Sequence, residues 1–195
     1  MTTTRRSLLA LLATLSVGLF TPAGVSASVR EPSSGEAFSE AHGDQALLGV
    51  GIRKRWGFKV YAMGLYAERA GATRLGPGDY HGVVAGGFKK TVEIRLLRSL
   101  SAEKLRSAFE DALGARVGSL PEYQQFLSYF SGELEKGTVI VLQTSGPQLG
   151  VTIAGQARPA LRNARLTGAL LDVWLGPKPV DSDLKETLVA RLGKL

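Results

Sequence analysis

From Leu47 to Glu68, aliphatic and aromatic residues alternate with small or polar ones on either side of Gly57. A period of two predicts a pair of strands joined by a tight turn at Trp56-Gly57. Arg53 falls on the first arm and Tyr61 on the second, at offsets that a hairpin makes neighbours. Ile52, Phe58, Val60 and Met63 are expected to leave the surface around them apolar. A guanidinium and a phenol above such a surface would receive a small anion carried on an apolar molecule.

The remaining pattern predicts the elements around that hairpin. Phe88 to Leu97 alternates again, with Val92, Ile94 and Leu96 on one face and Glu93 and Arg95 on the other, which reads as a half-buried strand. At Ser101-Ala-Glu-Lys the period changes. A capping residue, an acid in the first turn and Leu105, Ala108, Phe109, Ala112 and Leu113 at three- and four-residue spacing predict a helix to Gly114. Leu120-Pro121 opens a second helix with Tyr123, Phe126, Leu127 and Phe130 on one stripe. Thr138 to Thr144 and Leu149 to Ala154 read as strands about a Ser145-Gly-Pro turn. Ala164 to Leu175 reads as one apolar helix stopped by Gly176 and Pro177, and Asp181 starts a last helix with Leu184, Leu188, Val189 and Leu192 inward. Arg69 to Gly87 is a glycine-rich loop region with room for a short helix, and Ser28 to Gly43, without any period, reads as a flexible leader. Antiparallel groups of strands with helices in a block, rather than β-α-β alternation, indicate an α+β domain over residues 44–195.

Composition changes this picture only at the N-terminus. The 195 residues carry 44% hydrophobic and 21% charged side chains, ordinary for a globular protein with one domain and a short extra segment. Met1 to Ala27 has Arg5 and Arg6, an apolar run from Leu8 to Phe20, and a small-x-small site at Val25-Ser26-Ala27, which reads as a signal peptide cleaved near Ala27. The run is shorter than the ~20 residues a membrane span needs, so no stable span is expected after cleavage and the mature chain is expected in the periplasm or outside the cell. Thr4-Arg-Arg-Ser is similar to a twin-arginine signal, so both that route and the general secretory route stay open. Without Arg5 and Arg6 the chain has 22 basic and 17 acidic residues, a net of +5 spread without a block of like charges, which argues against a nucleic-acid partner. There is no cysteine, hence no disulfide or thiol chemistry. The two histidines, His42 and His81, are too few for a metal cluster or a His-dependent triad, so no metal, cofactor or catalytic residue is expected.

Three segments in order, Gly49-Val-Gly-Ile-Arg53, Phe58-Lys-Val-Tyr61-Ala-Met-Gly-Leu-Tyr66 and Ala169-Leu-Leu-Asp-Val-Trp-Leu-Gly176 with Lys178-Pro-Val beyond, resemble the chalcone isomerase-like family from about Asp44 onward. The resemblance implies an open-faced β-sandwich, a large antiparallel sheet covered by a layer of helices, with ligand between them. That family holds flavonoid isomerases, non-catalytic fatty-acid-binding members and exported bacterial members, so membership does not choose a function. Arg53 and Tyr61 stand where fatty-acid-binding members hold the ligand carboxylate, and Thr167 matches a hydroxyl residue that lines the isomerase cleft. Isomerases also use a tyrosine and a lysine after the third strand; here Leu105 stands at the tyrosine position with Lys104 beside it, which puts catalysis in doubt.

The N-terminal signal and the match of Arg53 and Tyr61 to the carboxylate-holding pair together lead to the expectation of an exported, non-catalytic binder of a fatty acid or similar amphipathic carboxylate, held by Arg53, Tyr61 and Thr167. The alternatives are an isomerase-type intramolecular lyase, or an envelope structural or adaptor protein in which Arg53 pairs with an internal acid such as Glu93 and the cleft is filled by its own side chains. Phe109, Phe126, Phe130, Leu170 and Trp174 are candidate walls of the cleft or plain core. Burying about eleven methylenes at ~0.8 kcal/mol each gives roughly 9 kcal/mol gross, against at least ~4 kcal/mol of association cost, so the tail sets affinity and the head selects.

Overall fold

A computed structural model describes residues 27–195. The signal-peptide reading, apart from Ala27 itself, lies outside the described residues. The sheet runs, edge to edge, Ala41–His42, Gln45–Arg55, Phe58–Glu68, Lys90–Leu96, Val139–Ser145, Gln148–Ile153, Gln156–Ala157, every neighbour antiparallel, and an eighth strand, Leu161–Arg162, also pairs with Gln148–Ile153. The hairpin turns where the alternation breaks: Trp56 and Gly57 both take left-handed backbone, φ 51° and 79°, the two-residue turn whose twist matches that of its strands.

Helices cover one face of the sheet. Ala102–Val117 starts at the Ser101 hydroxyl, which accepts from Lys104 N at 3.4 Å, and runs one turn beyond the expected Gly114 because buried Val117 continues the apolar stripe from Leu113. Pro121–Ser128 follows with Tyr123, Phe126 and Leu127 buried. The apolar helix expected from Ala164 to Leu175 divides into Ala164–Leu170 and Asp172–Leu175, with Trp174 N and Leu175 N both donating to Leu171 O as the chain tightens there. Ser182–Leu188 closes the layer, capped by the Asp181 carboxylate accepting from Leu184 N at 3.1 Å. The glycine-rich loop holds two short helices, Arg69–Ala72 and Tyr80–Ala85.

The other face is not left open along its whole length. Residues 28–43, expected to be a flexible leader, instead form a small hairpin, Ser28–Arg30 against Ala37–Ser39, followed by the edge strand Ala41–His42. Phe38 is fully buried against Leu47, Ala62 and Tyr66, in a notch over Gly64 where an added Cβ would lie 2.7 Å from its ring. Glu31 holds the small hairpin's turn by accepting from Ser33 N at 3.1 Å and from Ser34 N and Oγ at 2.6 Å each. Strands of three residues are too short to show a period, and one phenylalanine does the anchoring.

Candidate functional site

Two glycines position the site. A Cβ on Gly49 would lie 2.1 Å from the Thr187 carbonyl oxygen, and one on Gly51 would lie 2.2 Å from the Thr187 hydroxyl and 2.6 Å from Leu184 Cδ1. Only the missing side chains let Ser182–Leu188 lie directly on the first arm of the hairpin. That contact carries the helix cap, Asp181, to the residue two places beyond Gly51. Arg53 Nη1 donates to Asp181 Oδ2 at 3.3 Å and to Lys54 O at 2.7 Å, while Lys54 N donates to the same Asp181 oxygen at 3.2 Å.

Across the hairpin Arg53 is in register with Tyr61, and Tyr61 in turn with Leu96. The phenol lies under the helical layer, where its oxygen accepts from Trp174 Nε1 at 2.8 Å. Burial pushes its pKa up to about 12, outweighing the indole hydrogen bond and the nearby Arg53 charge, so the hydroxyl stays protonated at neutral pH. With its lone pair engaged by the indole, the phenol keeps its own proton to donate. For Asp181, burial acts to raise the pKa, but hydrogen bonds from Leu184 N, Lys54 N and Arg53 prevail and hold the carboxyl below its usual range.

Arg53 and Tyr61 stand on the wall of a cavity of about 620 Å³ between sheet and helices. Its apolar interior comes from Ile94, Leu96 and Ile140 on the sheet, Leu105 and Phe109 on the long helix, and Val173 and Trp174 beyond. Val60 and Phe58 line it toward the turn. Four basic side chains, Arg53, Arg55, Arg98 and Lys104, face two acidic ones, Glu103 and Asp111, around the same space. That size is typical of pockets for small ligands.

Several expected placements need correction. Thr167 is not on the cavity wall: it is buried on Ala164–Leu170 and its hydroxyl bonds Gly146 O at 2.9 Å, fastening that helix to the turn before Gln148–Ile153. Ile52 lies in register with Ala62, so strand alternation points it to the sheet face opposite Arg53. Arg53 pairs with Asp181 and not with Glu93, which bonds Arg95 at 2.7 Å and approaches His42 at 3.3 Å on that opposite face. Of the candidate walls, Phe109 and Trp174 line the cavity; Phe126 and Phe130 stand behind Phe109 with ring centroids 5.0 and 5.7 Å away, and Leu170 is core. Asp181 was visible in sequence only as a helix cap. Among the described residues no three His, Asp or Glu side chains converge as a metal site.

The profile of the chalcone isomerase-like family matches residues 36–190. The chain belongs to the chalcone isomerase-like family. Among curated proteins it is similar to "Fatty-acid-binding protein 1" of Arabidopsis thaliana, 28% identical over 199 aligned positions that cover 86% of this chain and 71% of the relative. Among solved structures it is similar to an Arabidopsis thaliana fatty-acid binding protein, with a TM-score of 0.71 at 23% identity, covering 87% of this chain and all of that one. The second likeness establishes the fold: a curved antiparallel sheet under a helical layer, as in other chalcone isomerase-like proteins.

Proposed function

We propose that the protein is an exported, non-catalytic binding protein for a fatty acid or similar amphipathic carboxylate. The observation that carries this reading is the register of Arg53 with Tyr61 on the wall of an apolar cavity. The ligand's carboxylate takes hydrogen bonds from the guanidinium and the phenol, and its chain lies along Phe109, Ile94, Leu96 and Ile140. The Arabidopsis thaliana relative is by name a fatty-acid-binding protein, which supports the same ligand class for this chain.

Asp181 makes the headgroup site self-neutralising. Its one contact with Arg53, at 3.3 Å, is long and only partly buried, so a ligand carboxylate with better geometry replaces it at small cost. Affinity then follows the chain, at ~0.8 kcal/mol per buried methylene, and selection against alcohols and esters follows the guanidinium. Leu105, where isomerases have a phenol, lines the cavity with an apolar side chain. A chalcone mixed with the protein is therefore expected to keep its visible absorbance.

The test is mass spectrometry of lipid released from natively purified protein, paired with fatty-acid titration of wild type and Arg53→Ala. Co-purifying carboxylate and a loss of affinity of roughly ten-fold or more in the variant support the reading. Absence of ligand together with an unchanged titration defeats it. Export with cleavage near Ala27 is tested separately by the intact mass of protein recovered from periplasm and medium.

A further inference from the structure

Among the described residues, the two large apolar side chains most exposed to solvent are Trp56 and Phe58, at 84% and 64%, and both belong to the tip of the hairpin at the mouth of the cavity. Neither packing nor turn chemistry accounts for Trp56. Its φ of 51° is a backbone state that suits Asn or Gly at this turn position and is strained for a bulky aromatic. A residue that is both strained and unburied at an exposed tip points to a surface role.

Basic charge predominates on the hairpin itself. No acidic residue occurs between Gln45 and Ala67, while Lys54, Arg55 and Lys59 lie within that stretch. The Arg55 guanidinium sits 4.6 Å from the Trp56 ring and Arg98, from the neighbouring strand's end, 5.6 Å from the Phe58 ring. Lys59 is turned away to Ser33 O. Glu103 and Asp111 stand on the opposite lip, on the long helix. Aromatic side chains interleaved with cations are the side chains that occupy a membrane interface and its anionic headgroups.

We propose that this hairpin tip docks the protein on an anionic phospholipid bilayer, Trp56 and Phe58 entering the interface and Arg55 and Arg98, which lie on their rings, facing the headgroups. The cavity mouth then opens onto the membrane that supplies or receives its ligand, a consequence that rests on the binding function proposed above. The docking itself does not.

Vesicles of phosphatidylcholine alone, and of phosphatidylcholine mixed equally with phosphatidylglycerol, test this by co-sedimentation and tryptophan emission. Trp56 and the buried Trp174 are the chain's two tryptophans, and because Trp174 lines the cavity, only the part of a blue shift that Trp56→Asn abolishes reports Trp56. The expected result is binding to the anionic vesicles about ten-fold stronger than to the neutral ones, weakened by salt, with a blue shift. Trp56→Asn with Phe58→Ser is expected to lose about ten-fold in partitioning, and Arg55→Glu about five-fold or more. Trp56→Asn suits the turn, so its melting temperature is expected to hold or rise, which separates lost docking from lost folding. Wild type that stays in the supernatant with both vesicles, or a double variant that sediments like wild type, overturns the proposal. Self-association through the tip in sedimentation velocity, without vesicle binding, also overturns it in favour of a protein interface. Fatty-acid titrations run in vesicle-free buffer, so failure of the ligand reading and failure of docking register separately.

Discussion

Arg53 and Asp181, 128 residues apart in the chain, meet at 3.3 Å because two glycines let the last helix rest on the first arm of the hairpin. Asp181 holds the guanidinium and caps the helix at once. Asn caps as well as Asp, so Asp181→Asn removes the charge and keeps the helix start. Carboxylate affinity is expected to rise by up to about five-fold, the equivalent of the ~1 kcal/mol that such a pair contributes at most, as measured by fatty-acid titration. The acid limb of stability moves too. A carboxyl held below its ordinary value stabilises the fold fully above that value, and the contribution disappears as pH falls through the lowered one. Asp181→Asn is expected to flatten that part of the profile below about pH 4 in thermal melts.

Tyr61→Phe leaves the Trp174 indole N–H without its 2.8 Å acceptor under the helical layer. Stability is expected to fall by about 1–3 kcal/mol in urea melts, and carboxylate affinity with it. In the wild type, ultraviolet titration is expected to show no ionisation of this phenol below about pH 11, given a pKa near 12.

Gly49→Ala forces a methyl group to within 2.1 Å of a backbone oxygen that cannot rotate away. The last helix must lift, at about 1–3 kcal/mol, which is ~2–4 °C of melting temperature per kcal/mol for a chain of this size. Because Asp181 rides on that helix, ligand affinity and acid stability are expected to change together in this variant.

Ala108 lines the cavity from the exposed side of the long helix. Ala108→Trp is expected to fill the space and weaken fatty-acid binding by about ten-fold or more, while melting temperature changes little because no buried contact is removed. Phe109→Ala, by contrast, is expected to cost about 3–5 kcal/mol, since its ring also packs on Phe126, Phe130 and Trp174.

Lys90 is buried on the third long strand, its ammonium on Gly86 O and 4.8 Å from the Phe88 ring. Burial lowers its pKa to about 8 from 10.5. Between those values the unfolded chain binds the proton and the folded one does not, so stability is expected to rise from about pH 8 toward 10. Above about pH 10 the trend is expected to reverse, because burial raises the pKa of Tyr61, Tyr66 and Tyr123 in the fold. Lys90→Met is expected to remove the rise in a pH series of melts.

The hairpin, its turn at Trp56-Gly57 and the pairing of Arg53 with Tyr61 were legible in sequence, because strand alternation and a two-residue turn act over neighbouring residues. The same local logic found the helix caps at Ser101 and Asp181 and the buried stripe of the last helix. It failed where the period is too short or the partner too distant. The three-residue strands of the leader show no alternation, and Ile52 was assigned to the wrong face, although it neighbours Arg53 and must alternate with it.

Local pattern thus dictated which segments become strand or helix and which side chains each offers, since those preferences are set within a turn or two of backbone. Long-range packing chose the rest: Asp181 for Arg53, Trp174 for Tyr61, Gly146 for Thr167, and Phe38 for the notch over Gly64. A glycine announces that something can come close, but what arrives depends on how helices far along the chain settle on the sheet, which no nearby residue encodes.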